Sequence, residues 1–424
     1  MTDREERYRL LLELSQRIGP TFDLQEILGH LLTSVRLAVN YDAAGVFVLS
    51  KAVSRTPERR GPMIAAMAAV GFAPDPNRED PMLRSGKGII GHVIKTGESV
   101  IAPDVRVDPR YVAGRAPTLS EVAVPISSGG RVIGALNLES DRLAAYSATD
   151  VQMLASFATA AAIFIDKAIL HHQVLEKQHL EHHLMLAGEV QASLLPKDPP
   201  QVPGYDIAGI NLPTMEIGGD YYDYLPLGRD RLGLVVADVS GKGVPAALIM
   251  ATFRAALRTE LRRDLPLADV IDSVDRLLID SMDSSRFVTA VCGILEPASG
   301  TFTYVNCGQT PPLLAKASGH TVWLDRGGAA LGMPVAGGRE TASITLETGD
   351  VLALYTDGVV EVFAESGDEF GVARLEQVLR AAGAAGAGHI ISDVVNATQQ
   401  HAGRSDYDDD FTLTVVRKLP RNGA

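Results

Sequence analysis

Cysteine is nearly missing: Cys292 and Cys307 are the two in 424 residues. So few thiols exclude a disulfide-framed fold, and their spacing excludes a cysteine metal motif. They read as small buried residues of a protein kept in a reducing cytoplasm. Basic blocks are missing too. With 39 basic against 52 acidic residues the net charge is −13, which argues against a nucleic-acid or anionic-membrane surface. The longest apolar run, "LASFATAAAIFI" at 154–165, is shorter than the roughly 20 residues a bilayer needs. "MTDREERYRL" has no apolar core for export. The expectation is a soluble, cytoplasmic protein.

Nucleotide loops are absent as well. "LVVADVSGKGVPAAL" (234–248) runs an apolar strand into Gly-Lys-Gly, but Lys242 is followed by Gly243 rather than Ser or Thr. Val236 stands where the first glycine of a phosphate loop belongs, and no G-x-G-x-x-G occurs there. "SGKGIIGH" at 85–92 fails the same test.

What is present is a globular composition, 46% apolar and 21% charged, long enough for two or three domains. Arg4–Ile18 has helical periodicity, and Asp23 with Glu26 forms a capping box for a second helix. Strands are expected at 43–50, 63–71, 121–128 and 131–140, the last two joined by Gly129-Gly130 as a two-residue hairpin. A long helix begins near Ser147. It turns polar from about 165 to 195, where Leu180, Leu184, Ala187 and Leu194, with Leu170 and Val174 behind them, are spaced as a weak dimeric coiled-coil seam. His171, His172, His179, His182 and His183 lie on this segment; a solvated or interhelical face is the default reading over a metal site. Pro196 and "PKDPPQVPG" end the segment. Beyond 204 come many short strands with helices near 245–261 and 266–281, and "AAGAAGAG" (381–388) joins two further helical pieces. The class is α+β, with packed antiparallel sheets flanked by helices.

Acids recur where inner strands emerge. Asp238 ends "LVVAD", Asp220 follows Gly218-Gly219, Asp357 ends "VLALYTD" before Gly358, and Asp408, Asp409 and Asp410 precede "FTLTVV". Singly, each reads as a turn. Together they ask for a cation, because two carboxylates about 4 Å apart repel by roughly 4 kcal/mol at an effective dielectric of 20. Oxygen-ligated Mg²⁺ or Mn²⁺ is the natural answer, and such ions lower the pKa of a bound water from about 15.7 towards 7. The chemistry implied is metal-assisted hydrolysis.

In order, "GGDYYDY", "ADVSGKGVPAAL", "FVTAVCGILEP", "YVNCGQTPPLL", "LGMP", "LYTDGVVE" and "DDDFTLTVV" resemble the SpoIIE-like branch of the PPM-type metal-dependent serine/threonine phosphatases over about 196–418. "EVQASLLPKDPP" is similar to the lead-in of that branch. The resemblance implies an α-β-β-α sandwich with two Mn²⁺ or Mg²⁺ ions. Asp238 would bridge both ions, with the Val239 carbonyl on the first. Asp357 and either Asp409 or Asp410 would bind the second, and Asp220 would hold waters of the first. Asp238 and Asp357 would be catalytic. The usual "NAGH" is here "NCGQ", with Gln309 where His is common.

Residues 1–170 resemble a GAF domain, through "SGKGIIGHVIKTGESVIAPDVRVDPRYV", "EVAVPISSGGRVIGALNLES" and the exit helix. The resemblance implies an antiparallel sheet with helices and a small ligand that the sequence leaves open. No cysteine in 1–170 argues against a covalent bilin, the Asn-Lys…Phe…Asp-Glu pattern of cyclic-nucleotide GAF domains is missing, and His30 and His92 read as structural. The expected organisation is a GAF sensor (1–170), a helical linker (171–195), a phosphatase domain (196–418) and a tail (419–424). The expected function is dephosphorylation of a phosphoserine or phosphothreonine on a STAS-type anti-sigma-factor antagonist, by a homodimer formed through the GAF domain and linker. Two alternatives stand beside it: a catalytically silent phosphoprotein-binding module, and a GAF-driven dimeric scaffold.

Overall fold

The computed structural model describes residues 3–49, 64–72, 87–228, 230–283, 285–333 and 338–420. Ser50 and Met63 of the expected strands, Ser85 and Gly86, Pro334 of "LGMP", and the last four residues of the tail lie outside them. The chain forms two compact units, Met1–Leu180 and Glu181–Ala424.

In the first unit, α1 (Asp3–Ile18) and α2 (Leu24–Ala38) precede β1 (Ala43–Leu49) and β2 (Ile64–Val70). Then come α3 (Gly88–Thr96), β3 (Val100–Ala102), β4 (Ser120–Ser128), β5 (Arg131–Ser140) and α4 (Ala148–Ala192). Half of the expected capping box forms. Asp23 accepts from the Glu26 amide at 3.0 Å, but the Asp23 amide goes to Thr21 Oγ1 and Thr21 bonds the Glu26 carboxylate. Gly129 and Gly130 both have positive φ (55° and 76°), as the two-residue turn between right-twisted strands requires. The sheet order is β2-β1-β5-β4-β3, antiparallel throughout. One face, carrying Val46, Val48, Val122, Val124, Leu136 and Leu138, packs on α1, α2 and the first half of α4.

Helix α4 starts on a reciprocal cap: the Asp150 carboxylate takes the Ser147 amide at 2.7 Å and Ser147 Oγ takes the Asp150 amide at 3.4 Å. It runs unbroken for 45 residues, so the segment expected as a linker is its distal half. By length and composition it also has a window that could cross a membrane, a test the shorter run 154–165 did not foresee. Leu154, Phe157, Ala161 and Ile165 of that stretch are nevertheless buried in the core of the unit. Leu170, Val174 and Leu180 are exposed. Leu194 does not extend their seam: it lies past the helix end and packs on the core of the second unit.

The second unit has two sheets. Strands β6 (Tyr205–Leu212), β7 (Tyr221–Pro226) and β8 (Leu232–Val239) lead to α5 (Val244–Glu260) and α6 (Leu267–Ser281). Next are β9 (Val288–Glu296), β10 (Thr301–Cys307), β11 (Leu313–Ala315), β12 (Thr321–Trp323), β13 (Gly327–Gly328), β14 (Ala342–Thr345) and β15 (Val351–Tyr355). Helices α7 (Gly371–Ala381) and α8 (Ala387–Ala402) precede β16 (Phe411–Lys418). One sheet runs β13-β10-β9-β8-β7, with β14 also on β10, and the other runs β12-β11-β15-β16-β6. Apolar side chains of both sheets interdigitate between them, among them Leu234, Val236, Phe302, Leu352 and Leu354. Helices α5 and α6 cover the outer face of the first sheet, and α7 and α8 that of the second. This is the expected α-β-β-α sandwich. Cys292 and Cys307 are buried, free thiols on β9 and β10.

Candidate active site

Strand ends of the two sheets meet at one edge. β8 delivers Asp238 and turns through Ser240, which bonds across to Phe287. β7 starts directly after Asp220, β15 ends just before Thr356-Asp357, and β16 starts directly after Asp409-Asp410. Two threonine hydroxyls join the sheets here. Thr356 Oγ1 donates to Asp220 Oδ2 at 2.8 Å, Thr412 Oγ1 donates to the same oxygen, and Asn211 Nδ2 donates to Thr412 Oγ1 at 2.8 Å.

The adjacent acids Asp409 and Asp410 have different surroundings. Asp410 spends both oxygens on a neighbouring loop: Oδ1 accepts from the amide and hydroxyl of Thr214 (2.8 and 3.1 Å), and Oδ2 accepts from the Gly219 amide at 2.8 Å. Asp409 instead pairs with Lys242 at 2.9 Å, and its charge raises the pKa of both Asp357 and Asp238. Asp410 also raises the pKa of Asp238 and Asp220, so the asymmetry is one of bonding: Asp410 spends both its oxygens on the Thr214–Gly219 loop, whereas Asp409 pairs with Lys242 and also acts on Asp357.

Close approach explains two glycines. A Cβ on Gly358 would collide with the Asp410 carbonyl oxygen, and one on Gly218 would sit 2.5 Å from Asp410 Oδ2. Gly218 is also clamped by Gln191 from the last turn of α4, whose Nε2 donates to the Gly218 carbonyl at 2.7 Å while its Oε1 accepts from the amide at 3.1 Å.

Burial and mutual repulsion dominate the electrostatics. Asp220 is pushed well above the usual carboxylate range by burial, then by the charge of Asp238. Asp238 is pushed up to about 7 by burial, then by Asp357, against a hydrogen bond with Asp220 that lowers it. Asp357 is raised by burial, then by Asp409, with the Gly358 amide opposing. Lys242 is held further protonated by Asp409. All donors present are hard oxygens, three mutually repelling carboxylates and the Val239 carbonyl, which suit a divalent cation. Among the described residues no three acidic, His or Cys side chains gather tightly enough to form a finished metal cluster. The donor chemistry fits such an ion, and Lys242 supplies the nearest positive charge.

Gln309 lies behind this edge, buried, with both polar atoms of its side chain bonded. Its Oε1 accepts from Thr289 Oγ1 and its Nε2 donates to the Tyr355 carbonyl at 3.2 Å. Thr289 is the register partner of Asp238, and Tyr355 precedes Thr356-Asp357, so Gln309 ties together the strands that carry two of the acids. Sequence reasoning missed Thr356, Thr412, Gln191 and Lys242. The "T" before "DG" and the "FT" after "DDD" were the only traces of the threonines. The linker histidines gather no metal cluster among the described residues; His171 stacks on Phe22 and His172 lies 3.2 Å from Glu176.

Comparison with known proteins agrees with this geometry. Residues 228–419 match the family described as stage II sporulation protein E (SpoIIE), and residues 22–166 match the GAF domain family. Residues 22–166 are a GAF domain and residues 228–419 a SpoIIE-type PP2C phosphatase domain. The phosphoserine phosphatase RsbU of Bacillus subtilis is 29% identical over 203 residues, covering 47% of this chain and 60% of RsbU. The phosphoserine phosphatase RsbP of the same organism is 26% identical over 193 residues, 44% of this chain and 47% of RsbP. The chain thus matches less than two thirds of the length of either relative. The SiaA-PP2C domain of Pseudomonas aeruginosa shares the fold, with a TM-score of 0.50 at 22% identity, over 57% of this chain and 98% of that one.

Proposed function

We propose that the chain is a metal-dependent phosphoserine or phosphothreonine protein phosphatase controlled by its GAF domain. The observation that carries this reading is the convergence of the half-buried Asp238, Asp357 and Asp409 at the meeting edge of two sheets, close enough that Asp409 raises the pKa of the other two, and served by close-packed glycine loops. In this reading Asp238, Asp357, Asp409 and the Val239 carbonyl would hold two Mn²⁺ or Mg²⁺ ions. Bound there, the ions would supply Lewis-acid activation of water and charge neutralisation at phosphorus. Asp220 stands behind Asp238, fixed by Thr356 and Thr412, and orients it. Asp410 keeps the Thr214–Gly219 loop in place, so its role is positioning.

The resemblance to the SpoIIE-like branch makes a phosphorylated STAS-type anti-sigma-factor antagonist the proposed substrate, in the cytoplasm. A homodimer through α4 is supported by the exposed Leu170, Val174 and Leu180 on that helix. Control through α4 is supported by Gln191, whose amide holds both backbone groups of Gly218, two residues from Asp220. The test is release of phosphate from a phosphoserine STAS protein and from a generic phosphoester, with Mn²⁺ and with EDTA. Metal-dependent turnover on the phosphoprotein is the expected result; turnover unaffected by EDTA contradicts it.

A further inference from the structure

The start of β9 has a neighbour that is not a strand. On one side Val288, the first residue of β9, is the register partner of Val239. On the other side β9 pairs with β10, but that ladder stops at Cys307, opposite Ala290. Beyond that point Leu331 takes the place of β10. Its amide donates to the Val288 carbonyl at 2.8 Å, and its carbonyl accepts from the Val288 amide at 2.9 Å. Both residues are fully buried, so these backbone groups need each other.

One bridge does not order a loop, because fixing each residue costs conformational entropy that a single pair of bonds does not offset. Residues 329–332 are seated by side chains instead. Arg339 Nε donates to the Ala329 carbonyl and Nη2 to the Ala330 carbonyl, both at 3.3 Å. Its Nη1 donates to Asp275 Oδ2 at 2.9 Å and to Asp272 Oδ1 at 3.5 Å, both on α6. Asp275 turns its other oxygen to the loop, where Oδ1 accepts from the Gly332 amide at 2.7 Å. The two side chains are 8% and 13% exposed. A planar guanidinium presents its donors in a fixed fork, so it sets the direction of two successive carbonyls at once. Gly332 adds a steric limit: its φ is 82°, and a Cβ there would collide with the Met282 methyl.

The same strand start faces the metal edge. Beside Val239, the Ser240 amide donates to the Phe287 carbonyl at 3.0 Å, and the Phe287 amide donates to Ser240 Oγ at 2.8 Å. The beginning of β9 thus lies between the seated loop and the Val239–Ser240 backbone.

We infer that Asp275 and Arg339 are positioning residues of the catalytic edge. By seating residues 329–332 against the start of β9 they fix the backbone at Val239, whose carbonyl is one of the proposed cation donors. This rests on the phosphatase reading of that edge. Both residues act through backbone, so their loss weakens cation binding while the acids stay in place.

The test uses the full chain and Mn²⁺ itself. Binding is read by calorimetry, metal-free stability by thermal unfolding, and phosphate release from a generic phosphoester over a Mn²⁺ titration. Asp275→Ala removes both the acceptor of Gly332 and the partner of Arg339, and is expected to weaken Mn²⁺ binding about tenfold. Arg339→Lys keeps the charge but not the fork, and is expected to weaken it about threefold. Turnover of both at saturating Mn²⁺ is expected within about twofold of wild type, which places the loss in metal affinity. Asp350→Asn is the control for general loosening. Asp350 is fully buried, accepts from Lys316 and from the amides of Ala317 and Glu347, and stands at the end of β15 away from Asp357. Its variant is expected to unfold at lower temperature and keep Mn²⁺ affinity within about twofold. Unchanged Mn²⁺ affinity in Asp275→Ala and Arg339→Lys, or an equal loss in Asp350→Asn, overturns the inference. If Asp275→Ala fails to fold, Arg339→Lys against Asp350→Asn decides alone. A wild-type chain that binds no Mn²⁺ removes the phosphatase reading and this inference with it. Wild-type binding that both variants keep removes only this inference.

Discussion

The chain buries two clusters of carboxylates, and they are built differently. In the second unit the acids sit at strand ends, on loops whose glycines admit close approach, with Lys242 beside them and hydroxyls behind Asp220. In the first unit Glu121 and Glu139 sit within strands, on a flat sheet face, bridged by an asparagine and walled by apolar side chains. Strand ends leave carboxylates free to converge on a shared point, which is what hard cations and a reacting phosphoryl group need. Mid-strand acids are held at fixed register spacing. The same residue type thus stands at converging strand ends in one place and at fixed register spacing within strands in the other.

The largest expected effect separates the two clusters. Asp238→Asn and Asp357→Asn should each lower Mn²⁺-dependent turnover by about 10² or more, as expected when transition-state charge stabilisation is removed. Their unfolding temperatures should hold or rise, because each removes a repelling charge from the group. Glu121→Gln should leave the turnover of the ligand-free chain within about twofold, roughly 0.4 kcal/mol. A tenfold loss in Glu121→Gln would erase the distinction.

The next effect concerns pH. Folding raises the Glu121 pKa from 4.5 to about 8, so the folded state holds that proton more tightly. The stabilisation is complete below pH 4.5 and is lost as pH rises towards 8. The first unit should therefore lose up to about 5 kcal/mol across this window, and Glu121→Gln should flatten the loss. Asp238 gives the metal-free second unit a loss of the same sign between 3.8 and about 7. Added Mn²⁺ should offset the second loss and leave the first unchanged, as read by unfolding at a series of pH values.

How much of each cluster was legible follows from the same difference. Strand-end acids announce themselves, since Asp beside Gly after an apolar run is visible in one dimension, and the order of motifs added the α-β-β-α fold. The choice between Asp409 and Asp410 was not visible, because it depends on Thr214 and Gly219, which lie about two hundred residues away. Gln309 looked like a departure, whereas its partners Thr289 and Tyr355 show a cross-strand tie. Glu121 and Glu139 read as ordinary polar positions in alternating strands. Only the β4–β5 register, set by the Gly129-Gly130 turn together with the one-residue shift between Ile126 and Ser127, places them opposite each other.

Two smaller effects sharpen the account of the catalytic edge. Gly358→Ala should destabilise the second unit by about 1–3 kcal/mol, because the new Cβ has only backbone to push against, whereas Gly388→Ala, with open space, should not. Lys242→Gln should change the apparent affinity for Mn²⁺ by a few-fold, about 1 kcal/mol, towards tighter binding, since it removes a cation that pairs with Asp409. A Mn²⁺ titration of turnover reads the shift.

The central claim is that the strand-end acids form a metal-dependent phosphatase site, and one measurement addresses it most directly. Phosphate release from a phosphoserine protein by the full-length chain is followed with Mn²⁺, with EDTA, and with Mn²⁺ in Asp238→Asn. The account predicts turnover in the first condition and its loss in the other two. Equal turnover in all three, or Mn²⁺-dependent turnover that survives in Asp238→Asn, would contradict it.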